Sequence, residues 1–179
     1  MTNQNSGLPA WRYAFAFLTI LIFAFVLLGN SAAGQQIEKN TKKQLIGTWL
    51  LISAQNEKKA DVFGAHPAGM LVFDASGYFS SQVMRSDLPK FASPNRTMAT
   101  PNESQAVIRG YIAYFGTYSV TAPGILSLHI EGGSFPNWND ATQKRSFLIN
   151  GDEMQYTNLV TSFGDASAHL LWRRTSAGR

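Results

Sequence analysis

The 179-residue sequence contains no cysteine. That excludes a disulfide framework, a thiolate metal site and a cysteine nucleophile. Charge is sparse as well: Asp, Glu, Lys and Arg make up 15% of the chain against 45% hydrophobic types. Such a balance is too apolar for a disordered protein. The formal net charge of +4 is modest and does not supply the concentrated basic face of a nucleic-acid binder, so no nucleic acid is expected as a partner. His66, His129 and His169 lack the spacing of metal ligands. The sequence also has no G-x-S-x-G elbow and no phosphate-cradling glycine loop. Neither a metal nor a cofactor is expected.

The apolar residues are unevenly spread. Ala14 to Leu28 reads AFAFLTILIFAFVLL, fifteen residues without a charge, with Arg12 before it and no acidic residue before Glu38. Gly29, Asn30, Ser31, Ala32 and Ala33 follow. A positive n-region, an apolar stretch and a small-residue site form the layout of a secretory signal peptide. Ser31 and Ala33 suit the −3 and −1 positions, so cleavage is expected after Ala33. The run is short for a membrane span, which needs ~20 apolar residues. The expected organisation is a signal peptide over 1–33, a linker over 34–43, one domain over 44–175 and a tail over 176–179. The expected address is periplasmic or extracellular. An uncleaved anchor over 14–28 is the alternative and would be the only membrane association.

Beyond the leader, eight runs rich in Leu, Ile, Val, Phe, Tyr, Thr and Trp read as strands: 45–54, 70–74, 78–84, 113–121, 125–131, 144–150, 153–159 and 167–174. Asp74-Ala75-Ser76-Gly77, Pro123-Gly124 and Asn150-Gly151 mark hairpins between them. The segment 85–112 breaks the rhythm with Pro89, Pro94 and Pro101. Within it, Thr100 as N-cap, Pro101 at the first helical position and Glu103 three residues after the cap predict a short helix from Pro101 to Arg109. The fold class is therefore all-β, with eight antiparallel strands closed into a small barrel, one short helix and an N-terminal hydrophobic signal helix. Such a barrel holds side chains or one small ligand.

The first strand opens with Gly47-Thr48-Trp49, and the last ends Trp172-Arg173-Arg174. A G-T-W in the first of eight barrel strands resembles the lipocalin superfamily. That resemblance implies that Trp49 closes one barrel end, with Arg173 or Arg174 packed over it as a cation–π partner. Four further segments resemble the bacterial and fungal lipocalin-like domain proteins: Phe63 to Met70, Met84 to Ala92, Tyr114 to Tyr118 and Ser134 to Trp138. The resemblance covers about residues 44–174. It implies the barrel but no particular reaction.

Side-chain parity nominates ligand-binding residues. If Val120 pairs with Ile125, then Tyr118 faces Ser127, Gly116 faces His129 and Tyr114 faces Glu131. This aromatic and polar face could line the lumen, with Gly116 leaving space beside His129. The opposite face, with Phe115, Leu126, Leu128 and Ile130, could equally point inward and leave His129 and Glu131 outside. The Asn150-Gly151 hairpin puts Arg145, Phe147 and Ile149 on one face with Met154, Tyr156 and Asn158. Its bulky apolar pairs predict that this face is inward, with Arg145, Tyr156 and Asn158 offering polar contacts near one rim. Arg85, with Asp87, Lys90 and Arg96, either receives a carboxylate-bearing ligand or forms a solvated loop. Trp138 either lids the mouth or anchors its loop.

The expected function is binding of a small, largely apolar molecule in the lumen by a monomer. Two alternatives stand beside it. One is a cofactor-independent isomerase, cyclase or dehydratase using His129 with Glu131 or Tyr114. The other is an envelope or stress protein with a filled barrel.

Overall fold

The structure is a computed structural model that describes residues 39–159, 161–164 and 166–175. Of two compact units, Met1–Lys39 and Asn40–Arg179, the first lies outside the described residues except for Lys39. The expected signal helix, cleavage site and 176–179 tail fall there or beyond. Among the described residues, no helix is long and apolar enough to cross a membrane.

A short helix over 39–45 (α1) leads into eight strands: β1 (Gly47–Asn56), β2 (Pro67–Phe73), β3 (Tyr78–Arg85), β4 (Tyr111–Ala122), β5 (Ile125–Gly133), β6 (Thr142–Asn150), β7 (Glu153–Asn158) and β8 (Ala168–Arg174). Each strand pairs antiparallel with its neighbour in sequence, and β8 returns to β1, closing the barrel. All eight strands match expected runs, with ends shifted by up to three residues in either direction. Closure leaves no strand edge free, so the backbone polar groups are satisfied without an exposed template for aggregation.

Local chemistry explains the hairpins. The Asp74 carboxylate accepts hydrogen bonds from the Ser76 hydroxyl and the Gly77 and Tyr78 amides, each at 2.8 Å. Those bonds hold its carboxyl below the usual carboxylate range. Gly77, at φ 105°, completes the turn in a region that L side chains rarely adopt. Between β3 and β4, α2 spans Pro101–Gly110, one residue longer than expected. Its capping box is formed: the Glu103 amide donates to the Thr100 hydroxyl, and the Thr100 amide donates to Glu103 Oε2 at 2.7 Å. Glu103 Oε1 also accepts from the Ala92 amide, tying the proline-rich loop to the helix.

The core is the barrel interior, where alternate residues of all eight strands point inward. On β4 and β5 the inward side chains are Ile112, Tyr114, Tyr118, Val120, Leu126, Leu128 and Ile130. This corrects the expected shared face of Tyr118, Tyr114, His129 and Glu131. Ala122 pairs with Ile125, which preserves the expected parity, but Thr121 is then an extra residue and Val120 pairs with Leu126. A one-residue bulge moves the partners that follow to the other face, as far as a second bulge between Phe115 and Gly116. Tyr118 therefore faces Leu128, and Gly116 faces Ile130. Gly116 does not open pocket space either. A Cβ there would lie 2.0 Å from the His129 carbonyl oxygen, so glycine is required by the close approach of the two backbones at a second bulge.

Candidate functional site

The two barrel ends differ in character. One end is closed by Trp49, fully buried beneath Leu45 of α1, with its indole N–H donating to the Leu45 carbonyl at 2.9 Å. Of the two arginines considered, Arg174 packs over the indole, its guanidinium carbon 4.0 Å from the ring centroid. Arg173 points outward to Glu153 at 2.9 Å. Tyr118 also belongs near this closed end. Its hydroxyl donates to the Asp74 carbonyl at 2.6 Å, and its ring meets Phe73 edge-on at 4.9 Å. Burial pushes its phenol up to about 12, with the Asp74 charge adding to the effect. These contacts satisfy Tyr118 within the fold and place it away from the pocket residues.

The other end is a mouth. Its pocket is walled by Phe63, Tyr114, Trp138 and Phe163, with Asn158 supplying a polar side chain. Trp138 is buried and meets Tyr114 and Phe135 in edge-to-face geometry at 5.3 and 5.5 Å. It thus anchors its loop and forms pocket wall at once. Phe163 is 44% exposed and touches Phe63 edge-on at 5.5 Å. The free space is about 40 Å³, room for a few waters.

A polar chain continues from this wall. On β6 and β7, Arg145 pairs with Asn158 and Phe147 with Tyr156, as the Asn150-Gly151 hairpin predicts. Arg145 was expected near a wet rim; closure of the barrel instead buries it completely. Its guanidinium donates to the Lys144 carbonyl at 3.0 Å and to Gln143 Oε1. Its Nε has no partner, and neither the Tyr156 hydroxyl nor Asn158 Oδ1 has one. The Tyr156 hydroxyl lies beside Tyr114 and Arg145. Burial, reinforced by Tyr114 and opposed by Arg145, holds this phenol well above its ordinary value. Buried polar groups are nearly always satisfied, so three orphans on two adjacent strands require an explanation.

The remaining expected site residues lie elsewhere. His129 and Glu131 are exposed on the outer face, where His129 approaches only Thr142, at 3.4 Å. Because Tyr114 points inward, the pairing of His129 with Tyr114 is not assembled, and His129 and Glu131 both lie outside the lumen. Arg85 makes a two-point contact with Asp87 at 2.7 and 2.8 Å. It borders an outer groove with Leu88 and Arg109 rather than the lumen. Phe63, Phe163 and Gln143 are pocket or network residues missed by the sequence reading. Gln143 was accessible in principle through its parity with Arg145, whereas Phe163 sits in an irregular loop with no periodicity to mark it. Among the described residues, no cluster of three or more His, Asp or Glu could hold a metal.

A family model described as a lipocalin-like domain matches residues 46–175. The "4'-hydroxy-3'-methoxypropiophenone carrier protein ppsC" of Aspergillus oryzae is 32% identical over 107 residues, covering 53% of this chain and 95% of that protein. A crystal structure of a lipocalin-like protein from Bacteroides uniformis aligns with TM-score 0.40 and 14% identity, covering 73% of this chain and 98% of the other.

Proposed function

This chain belongs to the lipocalin-like domain family, and on that premise we propose that it carries a small, largely apolar aromatic molecule at the open end of its barrel. The observation that carries the reading is the aromatic pocket of Phe63, Tyr114, Trp138 and Phe163 with the unpartnered Asn158 Oδ1 in its wall. Apolar walls with a few fixed polar groups are the usual make-up of a small-molecule site. The relative's printed name, a carrier of an aryl ketone with a phenol and a methoxy group, supports the same ligand class. Binding draws on apolar burial, at ~25 cal/mol per Å² before ordering costs.

The free space of about 40 Å³ is far below the ~300–1,000 Å³ of typical ligand pockets. Entry of a ligand is therefore coupled to displacement of Phe163 from the edge of Phe63. Phe163 is half-exposed and makes few demands on the core, so this displacement is cheap. The small volume also favours a second reading, a filled and inert barrel. Titration with 4'-hydroxy-3'-methoxypropiophenone, followed by tryptophan fluorescence, separates the two. A carrier shows a saturable change that is lost in Trp138→Phe, together with a raised Tm. No change at millimolar ligand supports the filled barrel. Export of the domain, with residues 1–33 as its removable signal, is part of the same proposal and is supported by the N-terminal pattern alone.

A further inference from the structure

Arg145 is fully buried, yet no carboxylate pairs with it among the described residues. Two neutral oxygens receive part of its charge, from Lys144 and Gln143, and its Nε is unpartnered. A guanidinium cannot escape burial by losing its proton. An uncompensated buried charge is strongly unfavourable, and a well-packed apolar residue in its place is often more stable. An empty barrel therefore has no use for this residue. An anion arriving from outside would give it one.

The neighbouring orphans define what else the anion carries. Tyr156, two residues before Asn158 on β7, presents a buried hydroxyl that can donate. Asn158 Oδ1 is an acceptor with no donor. The site therefore offers a cation, a hydroxyl donor and an unfilled acceptor within one stretch of β6 and β7. The mouth has the same polarity. Arg96 and Arg109 line the groove beside Phe163, and neither is held in an ion pair among the described residues. Of the nearby carboxylates, Asp87 pairs with Arg85, Glu103 caps α2, and Asp61 and Glu57 accept from the Gln55 side chain and the Ser167 amide. A cationic entrance concentrates anions and speeds their arrival.

Resting on the carrier reading, we infer that the ligand is an anion, a small aromatic carboxylate bearing a hydroxyl group, with Arg145 as its buried counter-charge. The ring lies between Phe63, Trp138 and Phe163, and the carboxylate enters at the Tyr114–Asn158 edge. Tyr156 stays protonated because its phenol is held well above its ordinary value, so it turns to donate to the carboxylate with Arg145 behind it. The ligand hydroxyl donates to Asn158 Oδ1.

Isothermal titration with 4-hydroxybenzoate and 4-hydroxycinnamate, each against its methyl ester, tests this on the wild-type protein without relying on any variant. The acids bind at least about tenfold tighter than their esters, the scale of one hydrogen bond to a charged group. Arg145→Met brings the ratio to about one and raises the Tm of the unliganded protein. Tyr156→Phe lowers the ratio while leaving ester affinity in place. Esters that bind as tightly as the acids overturn the anion while the carrier reading stands. Absence of binding by acids, esters and 4'-hydroxy-3'-methoxypropiophenone alike overturns both. An acid preference that survives Arg145→Met overturns the role of Arg145.

Discussion

Arg174 covers the ring of Trp49 at 4.0 Å while donating to the Ile46 carbonyl at 2.7 Å and to the Gln44 carbonyl. One side chain from the last strand thus fastens the first strand and the segment before it. A cation–π contact contributes ~0.5–2 kcal/mol, and hydrogen bonds from a charged donor ~1.5–3 kcal/mol. Arg174→Ala is expected to lower stability by about 2–4 kcal/mol in urea unfolding. Because the contact lies at the closed end, ligand affinity at the mouth is expected to change little once the variant is folded.

The Tyr118 phenol, pushed up to about 12, gives a signed pH dependence. Its folded value lies above the ordinary ~10, so the folded state keeps the proton longer than the unfolded state. The contribution is fully present below the unfolded value and is lost as pH rises through about 12. Tyr118→Phe forfeits the bond to the Asp74 carbonyl and is expected to be ~0.5–1.5 kcal/mol less stable at neutral pH. Denaturant midpoints measured across the alkaline range should show that deficit shrinking. A constant difference would contradict the assignment.

Gly116→Ala places a Cβ 2.0 Å from the His129 carbonyl oxygen. The obstacle is backbone, which cannot swing aside as a side chain can. The expected loss is roughly 3 kcal/mol or more. It would be seen as a large fall in Tm, with protection from hydrogen exchange lost first in β4 and β5. Gly151→Ala is the control, since no atom lies within 4 Å of a Cβ there. Its cost is confined to the positive φ of 60°.

Phe163→Ala removes the ring that meets Phe63 at the mouth. Since Phe163 is half-exposed, stability is expected to fall by only about 1 kcal/mol. Stopped-flow association of the aromatic ligand should become faster, and its release should accelerate as well. An unchanged association rate would show that the ring does not gate entry.

Export predicts processing after Ala33. Expression of the full chain in a secreting host should yield a soluble product whose N-terminal residue is Gly34, read by mass spectrometry. Recovery of uncut chain with the membrane fraction would instead support the anchor over residues 14–28.

Much of the barrel is written locally. Asp74, Pro123, Asn150 and their glycines set the hairpins through turn chemistry that acts over a few residues. Thr100 and Glu103 start α2 by the same short-range logic. Alternation then carried the inward face of β6 and β7, because the Asn150-Gly151 hairpin preserves parity and Arg145 does pair with Asn158. The same reasoning put His129 and Glu131 on one face with Tyr114 and Tyr118, which the structure separates. The bulge at Thr121 has no local signal: Pro123-Gly124 closes its turn equally well with or without the extra residue. Packing decides there, since the bulge turns Leu126, Leu128 and Ile130 into the core and gains several buried apolar side chains.

By itself, the sequence determined strand number, hairpin positions, the capped helix and the absence of cysteine chemistry. These depend on contacts between near neighbours. Tertiary structure alone decided which arginine covers Trp49, which tyrosine stays structural and which borders the pocket, and that Arg145 is buried without a counter-charge. Each of those outcomes follows from closing β8 onto β1. Closure brings distant residues together and removes water from groups whose polarity an open strand would leave solvated.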